Sequence, residues 1–275
     1  MDLYRFRSGA SPLLVSMPHV GTHVPPVIAA DMTPAGLEVP DTDWHVDLLY
    51  DFLDELGASV LQATHSRYVI DLNRTPTGEA LYPGARNTEL CPTTRFDDQP
   101  IYQPGRAPDA VQIAERRTRY WQPYHDKLDV ELAAIKARHG YVLLFDAHSI
   151  RSVVPRFFEG RLWDINVGTG DGVAASPAVS DAVMAAAGET ASYTSVLNRR
   201  FKGGYITRSY GRPIDTVEAV QLELSQITYM NEDPPFDLRE DRAAGIRPVL
   251  RAILDAYMAA GAKRYRGAAT ARTAV

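Results

Sequence analysis

Short apolar runs and longer periodic stretches take turns along this chain. Runs closed by proline, glycine or charged residues predict buried strands at Leu13–Met17, Ala58–Gln62, Arg67–Leu72, Tyr141–Phe145, Asp164–Val167 and Val217–Leu224. The strongest, Tyr141–Phe145, runs into Asp146-Ala147-His148-Ser149. Helical spacing of Val46, Leu49, Phe52, Leu53 and Leu56 follows a good helix start, Asp41-Thr42-Asp43, and stops at Gly57. Asp109 opens a helical stretch to about Arg138. Pro123 must kink or divide it, because proline removes a backbone donor and clashes with the preceding turn. Ser176–Ala187 reads as an alanine-rich helix and Asp237–Ala260 as a terminal one, followed by a frayed tail over 261–275. Strands alternating with helices predict an α/β fold with a mixed, largely parallel sheet flanked by helices. No repeat or shift of composition marks a linker, so a single domain over 1–275 is expected.

Composition narrows the class. The 275 residues are 45% hydrophobic and 23% charged, too apolar for disorder and long enough to bury a core without a staple. One cysteine, Cys91, excludes an intrachain disulfide and any multi-cysteine metal site. A net charge of −5 without a basic block argues against nucleic acid as partner. No apolar run approaches the roughly 18 residues of a membrane helix, and MDLYRFRSGA carries no signal-peptide stretch. A cytoplasmic enzyme is therefore expected, its oligomeric state open. The segment Thr75–Pro108 is rich in Pro, Gly, Thr and Asn, and a loop of that length inside a compact domain is usually functional.

Candidate chemistry gathers at predicted strand ends. Of the seven histidines, His19 follows a strand within Pro-His-Val-Gly-Thr-His, His45 lies in the first turn of a helix, and His148 closes the strongest strand. Ligands of open α/β sheets bind beyond the carboxyl ends of strands, where neutral imidazole with a carboxylate suits a divalent metal. His23, His65, His125 and His139 read as ordinary hydrogen-bonded residues. Glu223, between two leucines, is either buried and compensated or, together with Gln221, on the solvent face of an edge strand. In Asp71-Leu72-Asn73-Arg74, the arginine either grips a substrate carboxylate or pins the following loop. Phe201–Arg208 reads as a flexible glycine loop carrying polar groups, and Gly168–Gly172 as a tight turn. There is no Walker pattern, G-x-G-x-x-G or G-x-S-x-G, and nothing near Cys91 in sequence activates it.

The order of these signals resembles that of zinc carboxypeptidases and aspartoacylases: His19, then Asn73-Arg74, then His148, then Glu223. More closely, the chain resembles the N-formylglutamate amidohydrolases. The segments that carry the likeness are Ser16–Pro25, Asp41–Asp47, Val69–Pro76, Phe145–Ser149, Phe201–Thr207 and Gln221–Met230, spanning about 12 to 232. The resemblance implies a phosphorylase/hydrolase-like, zinc-carboxypeptidase-like core. One divalent metal, zinc for preference, would be held by His19 and His148. Carboxypeptidases place a glutamate ligand three residues after the first histidine; here that position is Thr22, so a third ligand must come from elsewhere. The Asp-x-Asp-Trp-His segment would provide it, His45 being preferred and Asp43 the alternative.

The expected reaction is hydrolysis of N-formyl-L-glutamate to formate and L-glutamate, as in histidine degradation, with Glu223 as general base and acid. A substrate with two carboxylates needs cationic partners in an acidic protein. Arg74 with Asn73 is the candidate for one carboxylate, and Arg208 with Tyr205 for the other. The competing expectations are a deacylase or carboxypeptidase for another N-acyl amino acid, an arginase-like manganese site around Asp146-Ala147-His148, and a non-catalytic binding protein on the same scaffold.

Overall fold

The computed structural model describes residues 1–79 and 86–272, with side chains up to Tyr265. Its strands are β1 (Tyr4–Arg7), β2 (Leu13–Met17), β3 (Ser59–Ala63), β4 (Val142–Ile150), β5 (Ile165–Gly168), β6 (Ser195–Leu197) and β7 (Val217–Ser225). They form one sheet in the order β1-β3-β2-β4-β7-β5-β6. Neighbours from β3 through β7 run parallel, while β1 and the β5–β6 pair run antiparallel to the strands they join. The helices are α1 (Pro26–Ala29), α2 (Pro34–Leu37), α3 (Val46–Leu49), α4 (Ala110–Arg116), α5 (Gln122–His139), α6 (Pro177–Gly188), α7 (Tyr205–Tyr210) and α8 (Glu240–Arg272). The fold is therefore the expected mixed, mostly parallel sheet flanked by helices. Among the described residues, no helix is long and apolar enough to cross a membrane.

Every residue of β2, β4 and β7 is buried, as central parallel strands covered on both faces require. One face packs Leu13, Val15, Leu143, Phe145, Val220 and Leu222 against α6 and α8. The other packs Leu14, Val142, Leu144 and Ala219 against α5, through Tyr124, Leu128 and Ile135.

Several local expectations are corrected. β4 does not end at Phe145 but continues through Asp146-Ala147-His148 to Ile150, because β7 pairs with it along its whole length. The segment Arg67–Leu72 forms turns, with Val69 N–H donating to Ser66 O and Arg74 N–H to Asp71 O. Its apolar residues are buried, but by packing in the cluster that also holds Leu90, Ile101 and Tyr102 and not by pairing in the sheet. The helix expected up to Gly57 is only the single turn α3, followed by three-residue turns. Leu49, Phe52, Leu53 and Leu56 still reach the core from them. Pro123 occupies the second position of α5, directly after a π-helical turn at Arg117–Trp121, so the backbone is re-registered without a break. The antiparallel strand β1 and the short β6 were not anticipated, being brief and unpatterned. In place of a loop, Phe201–Arg208 contains the start of α7.

The tail was expected to fray from residue 261, yet α8 continues to Arg272. Gly261 sits inside the helix where a Cβ would come within 2.7 Å of Leu143, so glycine serves close helix–sheet approach and not termination. Tyr265 then stacks on Tyr141 at 5.1 Å and donates to Glu218 Oε1 at 2.7 Å. Residues 80–85 of the predicted loop and 273–275 of the tail lie outside the described residues.

Because Leu143 is fully buried between sheet and α8, Leu143→Ala is expected to cost about 2–5 kcal/mol in chemical denaturation. Leu48→Ala, on an exposed turn, should stay within about 0.5 kcal/mol.

Candidate functional site

One face of the two central strands changes character along its length. In β4 the residues Val142 and Leu144 are followed on the same face by Asp146 and His148; in β7, Val217 and Ala219 are followed by Gln221 and Glu223. The opposite face stays apolar through Ala147, Leu222 and Leu224. Parallel register places His148 directly beside Glu223, and His19 leaves the end of β2 at the same edge. A polar site is thus cut into the carboxyl end of an otherwise apolar sheet.

His19, Asp43 and His148 meet there, each no more than 3% exposed, with one donor atom apiece lying within 4.8 Å of the others. Asp43 Oδ2 is 3.0 Å from His148 Nδ1 and 3.7 Å from His19 Nδ1. The far nitrogens are backed by carboxylates: His19 Nε2 lies 2.7 Å from Asp71 Oδ1, and His148 Nε2 lies 3.0 Å from Asp146 Oδ2. That pattern fits a divalent cation, since imidazole ligands are commonly oriented by a carboxylate on the other nitrogen. Two further oxygens, Asp43 Oδ1 and Asp146 Oδ1, are buried without a hydrogen-bond partner.

The electrostatics follow from burial and close pairing. Burial alone would raise the Asp43 carboxyl, but the His148 hydrogen bond and the nearby His19 imidazole hold it below the usual carboxylate range. Burial likewise opposes charge on His148, and Asp146 and Asp43 overcome it, raising the imidazole well above its ordinary value. A cation would displace that proton. Burial also opposes the charges of Asp71 and Arg67, which rescue each other through a 2.6 Å ion pair; Asp71 is held well below its usual value and Arg67 above. Glu223 is pushed up to about 8, by burial first and by Asp43 and Asp146 against the opposing effect of His148.

The cleft over this group is lined by His19, His148 and Glu223, by Arg67, Arg74, Arg86 and Arg200, and by an aromatic wall of Phe96, Phe157 and Phe201. Arg74 lies in it, its Nη2 donating to Thr88 Oγ1 at 2.6 Å and its Nε to Thr88 O at 3.2 Å. Asn73 is there too. Its backbone N–H donates to Asp71, its Nδ2 to Asp146 Oδ2 at 3.3 Å, and its Oδ1 accepts from Ile206 N–H at 2.8 Å, so it ties three segments together.

Three expected residues lie elsewhere. His45 is not part of the cluster: left-handed backbone (φ 61°) turns it away, its Nε2 is 2.7 Å from Phe236 O, and Asp43 fills the third place. Tyr205 packs on Trp121 and His125, with ring centroids 5.5 and 5.4 Å apart. Arg208 folds back to donate to Gly203 O at 2.7 Å and lies outside the cleft lining. Arg67 and Arg200 are not marked by any sequence pattern, and Asp71 and Asp146 stand out in sequence only within Asp71–Arg74 and Asp146–His148, without their role behind the imidazoles. For Asp71 and Asp146 the available signal was a carboxylate two residues from a site residue on one strand face or turn; for Arg200, on the loop after β6, there was none. Cys91 is buried with its thiol pushed up to about 11 by burial, unsuited to nucleophilic work.

Fold and site together form an arginine-lined cleft over a buried His–Asp–His group at the strand ends of an α/β sheet. The sequence model of the N-formylglutamate amidohydrolase family matches residues 11–230. An N-formylglutamate deformylase of Pseudomonas aeruginosa is 48% identical over 264 residues, 96% of this chain and 99% of its own. One from Pseudomonas putida is 46% identical over 261 residues, 95% and 97% of the two chains. Among solved structures, an N-formylglutamate amidohydrolase from Ralstonia eutropha superposes with a TM-score of 0.79 at 26% identity, covering 98% of this chain and all of that one. A protein from Agrobacterium tumefaciens, 20% identical, shares the fold with a TM-score of 0.70 over 93% and 95% of the chains. The chain belongs to the N-formylglutamate amidohydrolase family.

Asp71→Asn removes one partner from a buried charge cluster, for which about 3–5 kcal/mol of destabilisation is expected at neutral pH. The folded-state value of Asp71 is depressed, so its contribution is complete above the unfolded value of roughly 4 and fades as pH falls through the folded one. Denaturation of wild type and variant across pH should show their difference shrinking in acid.

Proposed function

We propose that the chain hydrolyses N-formyl-L-glutamate to formate and L-glutamate, a step of histidine degradation, at a single divalent-metal centre held by His19, Asp43 and His148. The observation that carries this reading is the buried His19–Asp43–His148 group, both imidazoles backed by carboxylates, beside Glu223 in an arginine-lined cleft. Its substrate comes from the names of the relatives. A zinc-like ion bound there would supply Lewis acidity and bring the pKa of a water towards neutrality.

The protein's own groups do the rest. Glu223, with a carboxyl pushed up to about 8, is matched to proton transfer near neutral pH. It accepts a proton from the water whose oxygen bonds to the formyl carbon, and returns it to the amine nitrogen as the C–N bond breaks. Arg67, fixed by Asp71 and lying 4.9 Å from the Phe96 ring, keeps positive charge beside the reacting group. Arg74 takes one substrate carboxylate. Arg200, braced by the Phe157 carbonyl at 2.7 Å and by the Phe157 and Phe201 rings, each 5.4 Å away, takes the other in the place first expected of Arg208.

Metal analysis and formate assay on one sample test the reading. About one metal per chain is expected, with formate release lost to chelator and restored by zinc. Metal without formate release would move the substrate to another N-acyl amino acid, which comparison of formyl- with acetyl-glutamate would reveal. Chelator-insensitive turnover would overturn the metal assignment. Arg74→Ala should raise KM by about 30-fold or more, as loss of roughly 2–5 kcal/mol implies, whereas Arg208→Ala should change it little.

A further inference from the structure

We propose that Gln221 is a positioning residue for Glu223, fixing which of its two carboxylate oxygens handles the proton. The inference rests on Glu223 as the proton-transfer group. Residues 221 and 223 share one face of β7, two positions apart, and both are buried in a central strand.

The hydrogen-bond chemistry leaves a single arrangement. Gly204 N–H can only donate, and its partner at 2.7 Å is Gln221 Oε1. The Gln221 amide nitrogen therefore faces Glu223 Oε2, 3.0 Å away, and it too can only donate. Turning the amide over would oppose donor to donor at Gly204 and acceptor to acceptor at an ionised Glu223. Glu223 Oε2 is thus held as an acceptor, and a proton carried by the carboxyl resides on Oε1. The clamp is itself fixed. A side chain on Gly204 would put a Cβ 2.3 Å from Asn73 Nδ2, and Asn73 Oδ1 accepts from Ile206 N–H in the first turn of α7. One oxygen then both takes the proton from water and gives it to the amine, with no rotation of the carboxyl between the two steps.

Gln221→Met keeps the length of the side chain and removes both the donor to Glu223 and the acceptor for Gly204 N–H. Expected is a fall in kcat of about 10- to 100-fold, the scale of a misplaced catalytic group, with KM and L-glutamate binding by calorimetry near wild type and a lowered thermal midpoint from the orphaned Gly204 N–H. Unchanged kcat overturns the proposal, as does a joint fall in kcat and glutamate binding, which marks a purely structural residue. Glu223→Gln separates the underlying reading: near wild-type turnover in that variant removes Glu223 as the proton carrier, whatever Gln221 does. Neutron diffraction from the wild-type protein supplies a readout independent of folding in the variant. It should show Gln221 deuterons directed at Glu223 Oε2 and none carried by Oε2; a flipped amide or a deuteron on Oε2 overturns the assignment.

Discussion

Buried charge at the end of the sheet has to balance, and most of the site's geometry follows from that requirement. Asp43, Asp71 and Asp146 are each nearly inaccessible to water, and an unpaired carboxylate in such a place costs several kcal/mol. Arg67 answers Asp71, His19 stands between Asp71 and Asp43, and His148 stands between Asp43 and Asp146. The result is a continuous chain in which carboxylates alternate with nitrogen-bearing side chains. Moving any one member would strand its neighbours, so the cluster holds the imidazoles rigidly. The same surplus of carboxylate oxygen makes the position attractive to a cation.

The sheet supplies the frame for that balance. Parallel pairing of β2, β4 and β7 brings three carboxyl ends to one edge, and on the site face the apolar Val142, Leu144, Val217 and Ala219 anchor the polar residues that follow them at fixed height. The loop from Ser66 to Arg74 then closes over the edge, carrying Arg67, Asp71, Asn73 and Arg74. His125 holds this loop from beneath, with its Nε2 2.8 Å from Leu72 O while Trp121 stacks on its ring at 3.7 Å. Burial pushes that imidazole down to about 4, so it serves as a neutral strut. The cleft-lining arginines come from loops, where reach matters, and His148 and Glu223 come from strands, where position is fixed by the register.

Strong local patterns were legible. The runs at Leu13–Met17 and Val217–Leu224 formed the strands expected of them, and His19 and His148 converged as their strand-end positions implied, with Glu223 beside them as the family likeness implied. Weaker ones misled. The apolar stretch Arg67–Leu72 looks like a strand because burial under a loop selects the same residues as burial in a sheet. Gln221 and Glu223 admit a solvent-facing reading because alternation records only that two residues share a face, and not what covers it.

His45 and Asp43 show where local reading ends. Both lie in one short segment, and either chemistry suits a metal. The choice was made by a single left-handed residue, whose backbone sends the imidazole to the Phe236 carbonyl, 191 positions away, and leaves the carboxylate between His19 and His148. Arg208 and Arg200 repeat the lesson, since α7 turns the first away while the loop before it brings the second to the cleft. The sequence by itself determined the fold class, the strand-borne histidines and glutamate, and a family likeness, because period and strand-end position are local properties. Only the tertiary structure decided the third cluster member, the backing role of Asp71 and Asp146, and the cleft arginines other than Arg74, because those depend on which distant segments must neutralise one another once water is gone.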